Sequence, residues 1–452
     1  MDWHDGTEAG EVDLHALEGA EHPLPCWNNR CCLRLFCRYC GACSDMVAAS
    51  WTGMALSSAE GTEAYVEKIY HWKRTVPLEH DEGVMADIYF RFLQFSLGLY
   101  DGREFLSGEI LADFDWNDFY CFAKKQTLTG VVFEGIRRLP KKYAPGQDLL
   151  MAWFGQSQRI YQRNLLMNEA AAHIYKNIKT KGFRCCILKG QGNALLYPNH
   201  FSRTPGDIDI WVSAERDDIR RLAQQLANGK GDVGKIGKES LNHIELMISG
   251  IAVELHPTPA ILNNPLYNHR LQKWLKRNVD LQCSNVVELP DDAGEIAVPT
   301  CAFNVVYQLL HLYHHYFYEG VGLRQIVDYY YVVINDEALM IRDTLQDELK
   351  HLGLWKFAGA VMYVLHEALG LPEEKMIAPM DEKRGKLLLA EILSGGNFGQ
   401  YDERYDFGHS SFGHNIQRLL RDLRLVRYYP GEALSEPIFR TWHFFWRMKN
   451  KK

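Results

Sequence analysis

The sequence lacks an apolar run long enough to span a membrane. Its best stretch, Trp355 to Leu371, is interrupted by Lys356, His366 and Glu367, whereas a spanning helix needs about 20 predominantly apolar residues. A basic excess is also missing: Lys plus Arg number 50 against 57 Asp plus Glu, a formal net charge of −7. The global positive field of a non-specific nucleic-acid binder is therefore absent. Residues 1–22 have no Lys or Arg and carry Asp2, Asp5, Glu8, Glu11, Asp13, Glu18 and Glu21. A secretory signal starts basic and continues apolar, so the expectation is a cytoplasmic protein. No internal repeat and no long linker interrupt the chain. With 47% hydrophobic and 12% aromatic residues, it has enough apolar surface to fold rather than stay disordered.

Cysteine is abundant only near the start, where six of the 11 lie between Cys26 and Cys43. Cytoplasmic thiols stay mostly reduced, so structural disulfides are not expected there. Cys37, Cys40 and Cys43 have the spacing of a ferredoxin-type run, but the next ligand position holds Val47, followed by Ala48 rather than Pro. Residues 1–84 show no sustained period and are expected to be a low-information extension, with Met85 an alternative start. Setting aside the seven acids of the first 22 residues leaves a formally neutral remainder. The charge balance then argues only weakly against nucleic acid.

From residue 85 the periodicity predicts helices over 85–98, 115–139 and 148–180. The texture then changes. Short strands are predicted over 183–188 and 207–212, with a helix over 215–227. Strands over 241–248 and 251–256 are joined by Ser249-Gly250, a hairpin signal. Helices resume over 266–277, 301–318, 323–334, 337–351 and 355–369. The expected organisation is a helical region 85–180, an α+β core 181–298 and a C-terminal helical region 299–452.

The core carries the chemistry. Asp207 and Asp209 are separated by one apolar residue, so a strand places both carboxylates on one face and Ile208 and Ile210 on the other. Two carboxylates that close repel unless a cation lies between them. Oxygen ligands of this kind select Mg2+, which also takes its substrate's phosphates. A two-residue turn at Ser249-Gly250 sets Glu245 opposite Glu254 and His243 opposite His256. All four then share a face, against a buried face of Ile244, Leu246, Val253 and Leu255. Acids directly opposite one another cost stability, so a ligand explains that face better than packing does. Upstream, Lys189-Gly190 joins a buried strand to a short helix, a turn that can offer backbone N–H groups to phosphate. Lys189 and Arg203 would add positive charge.

These residues resemble the nucleotidyltransferase superfamily typified by DNA polymerase beta. Its pattern is a Gly-containing turn, an acid-apolar-acid strand and a third carboxylate on a neighbouring strand. Here these look like Lys189-Gly190, Asp207-Ile208-Asp209 and Glu254. More narrowly, the chain resembles a bacterial family of uncharacterised nucleotidyltransferases. That likeness rests on Leu188-Lys189-Gly190, Tyr197-Pro198, Arg203, Gly206 to Ile210 with Val212, and Val253-Glu254-Leu255-His256. His311, His314, His315, Arg324 and Asp328 match its downstream His-rich pattern. The turn departs from the superfamily's usual Gly-Ser, because Gln191 follows Gly190.

The resemblance implies an α+β fold with a polymerase beta-like core, a small mixed sheet with helices, flanked by helical regions. It also implies an enzyme that moves a nucleoside monophosphate from an NTP, ATP first, to a hydroxyl or amine of an unidentified acceptor, small molecule or protein. Asp207, Asp209 and Glu254 are then the catalytic metal ligands for two Mg2+ ions, with Mn2+ as a substitute, and Glu245 competes for the third place. Lys189, Gly190, Arg203 and Gly206 bind the nucleotide. His243, His256, His311, His315, Arg324 and Asp328 surround the metal or the acceptor. No membrane partner is expected. Nucleic acid is disfavoured, although Lys273, Lys276 and Arg277 keep it open.

Residue by residue, each has a plainer reading. The two Asp could be solvated acids on a strand edge. Arg324 and Asp328, at i and i+4, could be a helix ion pair. His311 and His315 could be polar or satisfied core residues. At the level of the whole chain, two other functions compete: a non-catalytic nucleotide-binding or interaction protein, and a helical phosphohydrolase using His311, His315 and Asp328 for metal.

Overall fold

The computed structural model describes residues 80–108, 110–111, 114–228, 234–401 and 423–450. Contacts divide the chain into Met1–Ala86 and Asp87–Lys452. Every element below belongs to the second unit, apart from the opening turns of the first helix. The cysteine cluster and the acidic first 22 residues lie outside the described residues.

The N-terminal helices are α1 (His80–Ser96), α2 (Trp116–Lys125), α3 (Thr129–Ile136) and α4 (Gln147–Thr180). Asp115 caps α2, its side chain accepting from the Asn117 and Asp118 backbone N–H groups. The sequence predicts one helix over 115–139; the chain forms two. Thr127 stands at φ 58°, in the left-handed region, and ends α2 there. The kink has a use. The buried Gln126 side chain donates to the Ile392 carbonyl (2.9 Å) and accepts from Leu323 N–H (2.9 Å), tying this corner to the C-terminal helices.

Next come β1 (Cys185–Ile187), β2 (Ile208–Val212), α5 (Arg216–Ala227), β3 (Gly234–Glu239), β4 (Ile244–Ile248) and β5 (Ile251–His256). They build a five-stranded sheet in the order β1-β2-β5-β4-β3. Only β2 and β5 pair in parallel, placing Asp209 beside Glu254 and Trp211 beside His256. The β4–β5 hairpin turns at Ser249 (φ 47°) and Gly250 (φ 77°), as a two-residue turn with both centres left-handed requires. Its register, Ile248 with Ile251 and Glu245 with Glu254, is the expected one. The edge strand β3 was not expected: Gly234-Lys235-Ile236-Gly237-Lys238-Glu239 has no period-two pattern, and backbone pairing to β4 makes it a strand.

One sheet face is the core. Ile208, Ile210 and Val212 of β2 join Ile244, Leu246, Val253 and Leu255 of the hairpin. Against them pack Ile174, Tyr175 and Ile178 of α4, and Ile219, Leu222 and Leu226 of α5. Each such side chain, once buried, contributes about 1.5–3 kcal/mol.

The remaining elements are α6 (Pro265–Ser284), a hairpin β6 (Val286–Leu289) and β7 (Gly294–Ala297), then α7 (Cys301–Tyr318) and α8 (Leu323–Val333). The hairpin was not expected either; its turn runs through Asp291 and Asp292, both at positive φ. The helix predicted over 337–351 is interrupted, as Asp336–Met340 and α9 (Arg342–His351). Then follow α10 (Trp355–Leu369), α11 (Glu382–Gly395) and α12 (Glu436–Asn450). Helix α7 crosses the other sheet face. Phe303 stacks on Trp211 of β2 (5.6 Å, 19°) and on Trp274 of α6 (4.6 Å, 11°). The result is the α+β arrangement expected, a small mixed sheet with helical regions around it. Among the described residues no helix is long and apolar enough to cross a membrane.

Candidate metal and nucleotide site

Strand alternation sends Ile208 and Ile210 into the core and leaves Asp209 on the face covered by α7. β2 lies inside the sheet between β1 and β5, so Asp209 is not a solvated edge residue, and Asp207 directly precedes the strand. Asp209 is only 4% exposed. One carboxylate oxygen from each of Asp207, Asp209 and Glu254 lies within 4.8 Å of the others. The parallel β2–β5 pairing does this, by bringing the hairpin's Glu254 level with Asp209. Glu245 stands on the outer side of Glu254, 41% exposed at its side chain, and accepts from Lys238 N–H at 3.2 Å.

Two cations meet Asp209. Lys189 Nζ lies 2.9 Å from Oδ2, and His256 Nε2 lies 3.0 Å from Oδ1. Burial alone would raise the Asp209 pKa, but Lys189 and His256 outweigh it and hold the carboxyl well below the usual range. Asp207 shifts the other way, pushed up first by the charge of Asp209 and then by burial, with Lys189 opposing. Burial disfavours a charged His256, yet its bonds to Asp209 and Glu254 push it up to about 9. The two neighbouring acids shift in opposite directions because Lys189 and His256 contact Asp209 directly, while Asp207 faces the charge of Asp209.

Gly190 follows Lys189 at φ 60°, ψ −111°, a conformation glycine alone adopts easily. The helix it opens, Gln191–Ala194, has only four residues. Its buried Gln191 bonds to Asn168 and lies 3.5 Å from Asn164. Asn164 also donates to the carbonyls of Phe201 (3.0 Å) and Arg203 (2.8 Å). α4 thereby holds the loop that delivers Gly206 and Asp207. Asn164 and Asn168 were missed as supports of the site; their signal was polar residues on the apolar face of a long helix.

Arg203 gives Nε and one terminal nitrogen to the two oxygens of Asp328, both at 2.7 Å. Tyr197 Oη donates to Asp328 as well (2.7 Å). All three side chains are buried. Burial opposes ionisation of Asp328, but Arg203 dominates and holds its pKa low. The i,i+4 pairing of Arg324 with Asp328 is therefore corrected: the acid's ion-pair partner is Arg203, 125 residues away. Arg324 instead donates to the Thr204 carbonyl (2.9 Å). Its Nε is buried without a partner, and none of the ion pairs among the described residues includes it. Its guanidinium lies beside Gly206, 3.8 Å from where a Cβ would stand.

His311 Nε2 lies 3.3 Å from Lys189 Nζ and 3.0 Å from His315 Nε2. Burial, then Lys189 and His315, drive the His311 pKa well below its ordinary value, so the ring is neutral. His315 Nδ1 meets Glu319 (2.9 Å). The helical metal site is not assembled. Among the described residues the clusters of three ligand-type side chains are Asp207, Asp209 and Glu254, and His243, Glu254 and His256. Asp328, which that site would need, is already taken up by Arg203 and Tyr197.

A model of a family described as uncharacterised nucleotidyltransferase matches residues 112–370. The match is more than half of the 452 residues, and it contains the whole sheet and the helices from α2 to α10 that frame these side chains. No curated protein matches the chain.

Proposed function

The chain belongs to this family of uncharacterised nucleotidyltransferases, and from that premise we propose that it transfers a nucleoside monophosphate from an NTP to an acceptor hydroxyl or amine, releasing pyrophosphate. The observation that carries the reading is the convergence of Asp207, Asp209 and Glu254 within 4.8 Å. Three carboxylates so close fit a divalent cation, and their all-oxygen set favours Mg2+. A pair of such ions, when bound, supplies Lewis-acid charge at the α-phosphoryl group and on the departing pyrophosphate.

The side chains around that cluster divide the remaining work. Asp209, kept anionic by Lys189 and His256, is ready as a ligand at neutral pH. Glu254 is 23% exposed at its side chain, at the open side of the cluster, and is the candidate base for the acceptor's proton. Arg324, a buried guanidinium without a carboxylate partner beside Gly206, is the better phosphate donor. Arg203 contributes by position: its bonds to Asp328 set the loop from which Gly206 and Asp207 rise. Lys189 stays protonated, because Asp209, Asp207 and Glu254 outweigh its burial, and is the second cation for the triphosphate.

The test uses ATP radiolabelled at the α-phosphate, Mg2+ and a cell extract as the acceptor pool. Label should move from ATP to an acceptor with wild type, and fall to background with Asp207→Asn and with Asp209→Asn. Both variants matching wild type would remove the site assignment. Tight Mg·ATP binding without any label transfer would favour a non-catalytic nucleotide-binding relative.

A further inference from the structure

The sheet face that offers three carboxylates also offers two imidazoles, and the nucleotidyl-transfer reading gives these no ligand of their own. His243 precedes β4 and His256 ends β5. Each aims a ring nitrogen at the same oxygen. His243 Nδ1 is 3.4 Å from Glu254 Oε2, and His256 Nε2, which also lies 3.0 Å from Asp209 Oδ1, is 3.3 Å from it. One ligand atom from each of the three residues lies within 4.8 Å of the others.

We propose that His243, Glu254 and His256 form a second metal site, selective for a borderline transition ion of the Zn2+ class and sharing Glu254 with the all-oxygen cluster. Tetrahedral Zn2+ with bonds of about 2.0–2.2 Å separates its ligand atoms by about 3.3–3.6 Å. The two observed separations, 3.4 and 3.3 Å, have that length. Two nitrogens and one oxygen suit Zn2+ or Co2+ better than Mg2+, which prefers oxygen alone. Three protein ligands leave the fourth position for water or an oxygen of the substrate. The surroundings favour coordination as well. His256 is buried and its Nδ1 has no partner. The adjacent Glu245 carboxylate lies 3.6 Å from His243 Nε2, so a negative charge stands beside the ring's far nitrogen.

Full-length protein stripped of metal is titrated with Co2+, whose visible band distinguishes tetrahedral from octahedral coordination. The expected result is one equivalent bound with a tetrahedral band that Zn2+ displaces. His243→Ala should weaken that binding at least tenfold and erase the band, and so should His243→Gln, which keeps the volume of the side chain. Asp207→Asn, confined to the all-oxygen cluster, should keep it. An octahedral spectrum, or a band indifferent to His243, overturns the proposal. The transfer reaction fails separately: label transfer with a band indifferent to His243 removes this site alone, and an intact band without transfer removes the reaction alone.

Discussion

Replacing Asp328 with Asn leaves the Arg203 guanidinium buried without a counter-charge. The pair is made of two bonds of 2.7 Å, with side chains 5% and 7% exposed, so solvent screens it little. Breaking a buried pair by removing one partner costs about 3–5 kcal/mol, most of it the stranded charge. Removing both partners is a different matter. Arg203→Met with Asp328→Leu strands no charge and leaves only the Tyr197 hydroxyl without its acceptor, a loss of about 1–3 kcal/mol. Adding Tyr197→Phe should recover most of that. The order expected from urea unfolding midpoints is therefore wild type, then the triple variant close behind, then the double, with Asp328→Asn lowest. The single substitution should also raise the KM for NTP, because the loop carrying Gly206 and Asp207 loses its anchor. An Asp328→Asn protein within about 1 kcal/mol of wild type would refute the argument, and so would a double variant less stable than the single.

Two further outcomes follow from other shifted groups. Lys189→Met should tighten Mg2+ binding severalfold at pH 8 in the absence of nucleotide, because Nζ no longer occupies Asp209 Oδ2. The loss of that charge also raises the Asp209 and Asp207 pKa values, so the gain should shrink as pH falls; calorimetry showing unchanged or weaker binding at pH 8 would count against Lys189 as the resident counter-ion. Glu432 is buried where it accepts from Asn263 N–H (2.7 Å) and Asn264 N–H (3.4 Å). Burial outweighs those bonds and pushes it from 4.5 up to about 7. A carboxyl whose folded pKa is raised binds its proton more tightly when folded, so its stabilising effect is complete below about 4.5 and is lost as pH rises through 7. The difference in unfolding free energy between wild type and Glu432→Gln should change by about 3 kcal/mol over that window, in favour of the variant at high pH.

Much of the site was legible because its geometry is local. Strand alternation alone put Asp207 and Asp209 on one face. The Ser249-Gly250 turn alone set Glu245 against Glu254, since a two-residue loop leaves one register. Strand β3 and the β6–β7 hairpin escaped because their sequences carry no alternation, and pairing partners supplied what periodicity did not. The break at Thr127 escaped because a β-branched residue in the left-handed region has no composition signal. Its reason, the buried bonds of Gln126 to Ile392 and Leu323, lies about 200 residues away or more.

The sequence by itself determined which residue types could meet on the acidic face, because side chains repeat every two positions along a strand whatever the rest of the chain does. Only the tertiary structure decided which of them do meet. Parallel pairing of β2 with β5 brought Glu254, and not Glu245, into the Asp207–Asp209 cluster. Packing of α8 against the loop before β2 gave Asp328 to Arg203 and left Arg324 without a carboxylate partner. Charges choose partners by distance and desolvation, and those are set by non-local burial that no local spacing encodes.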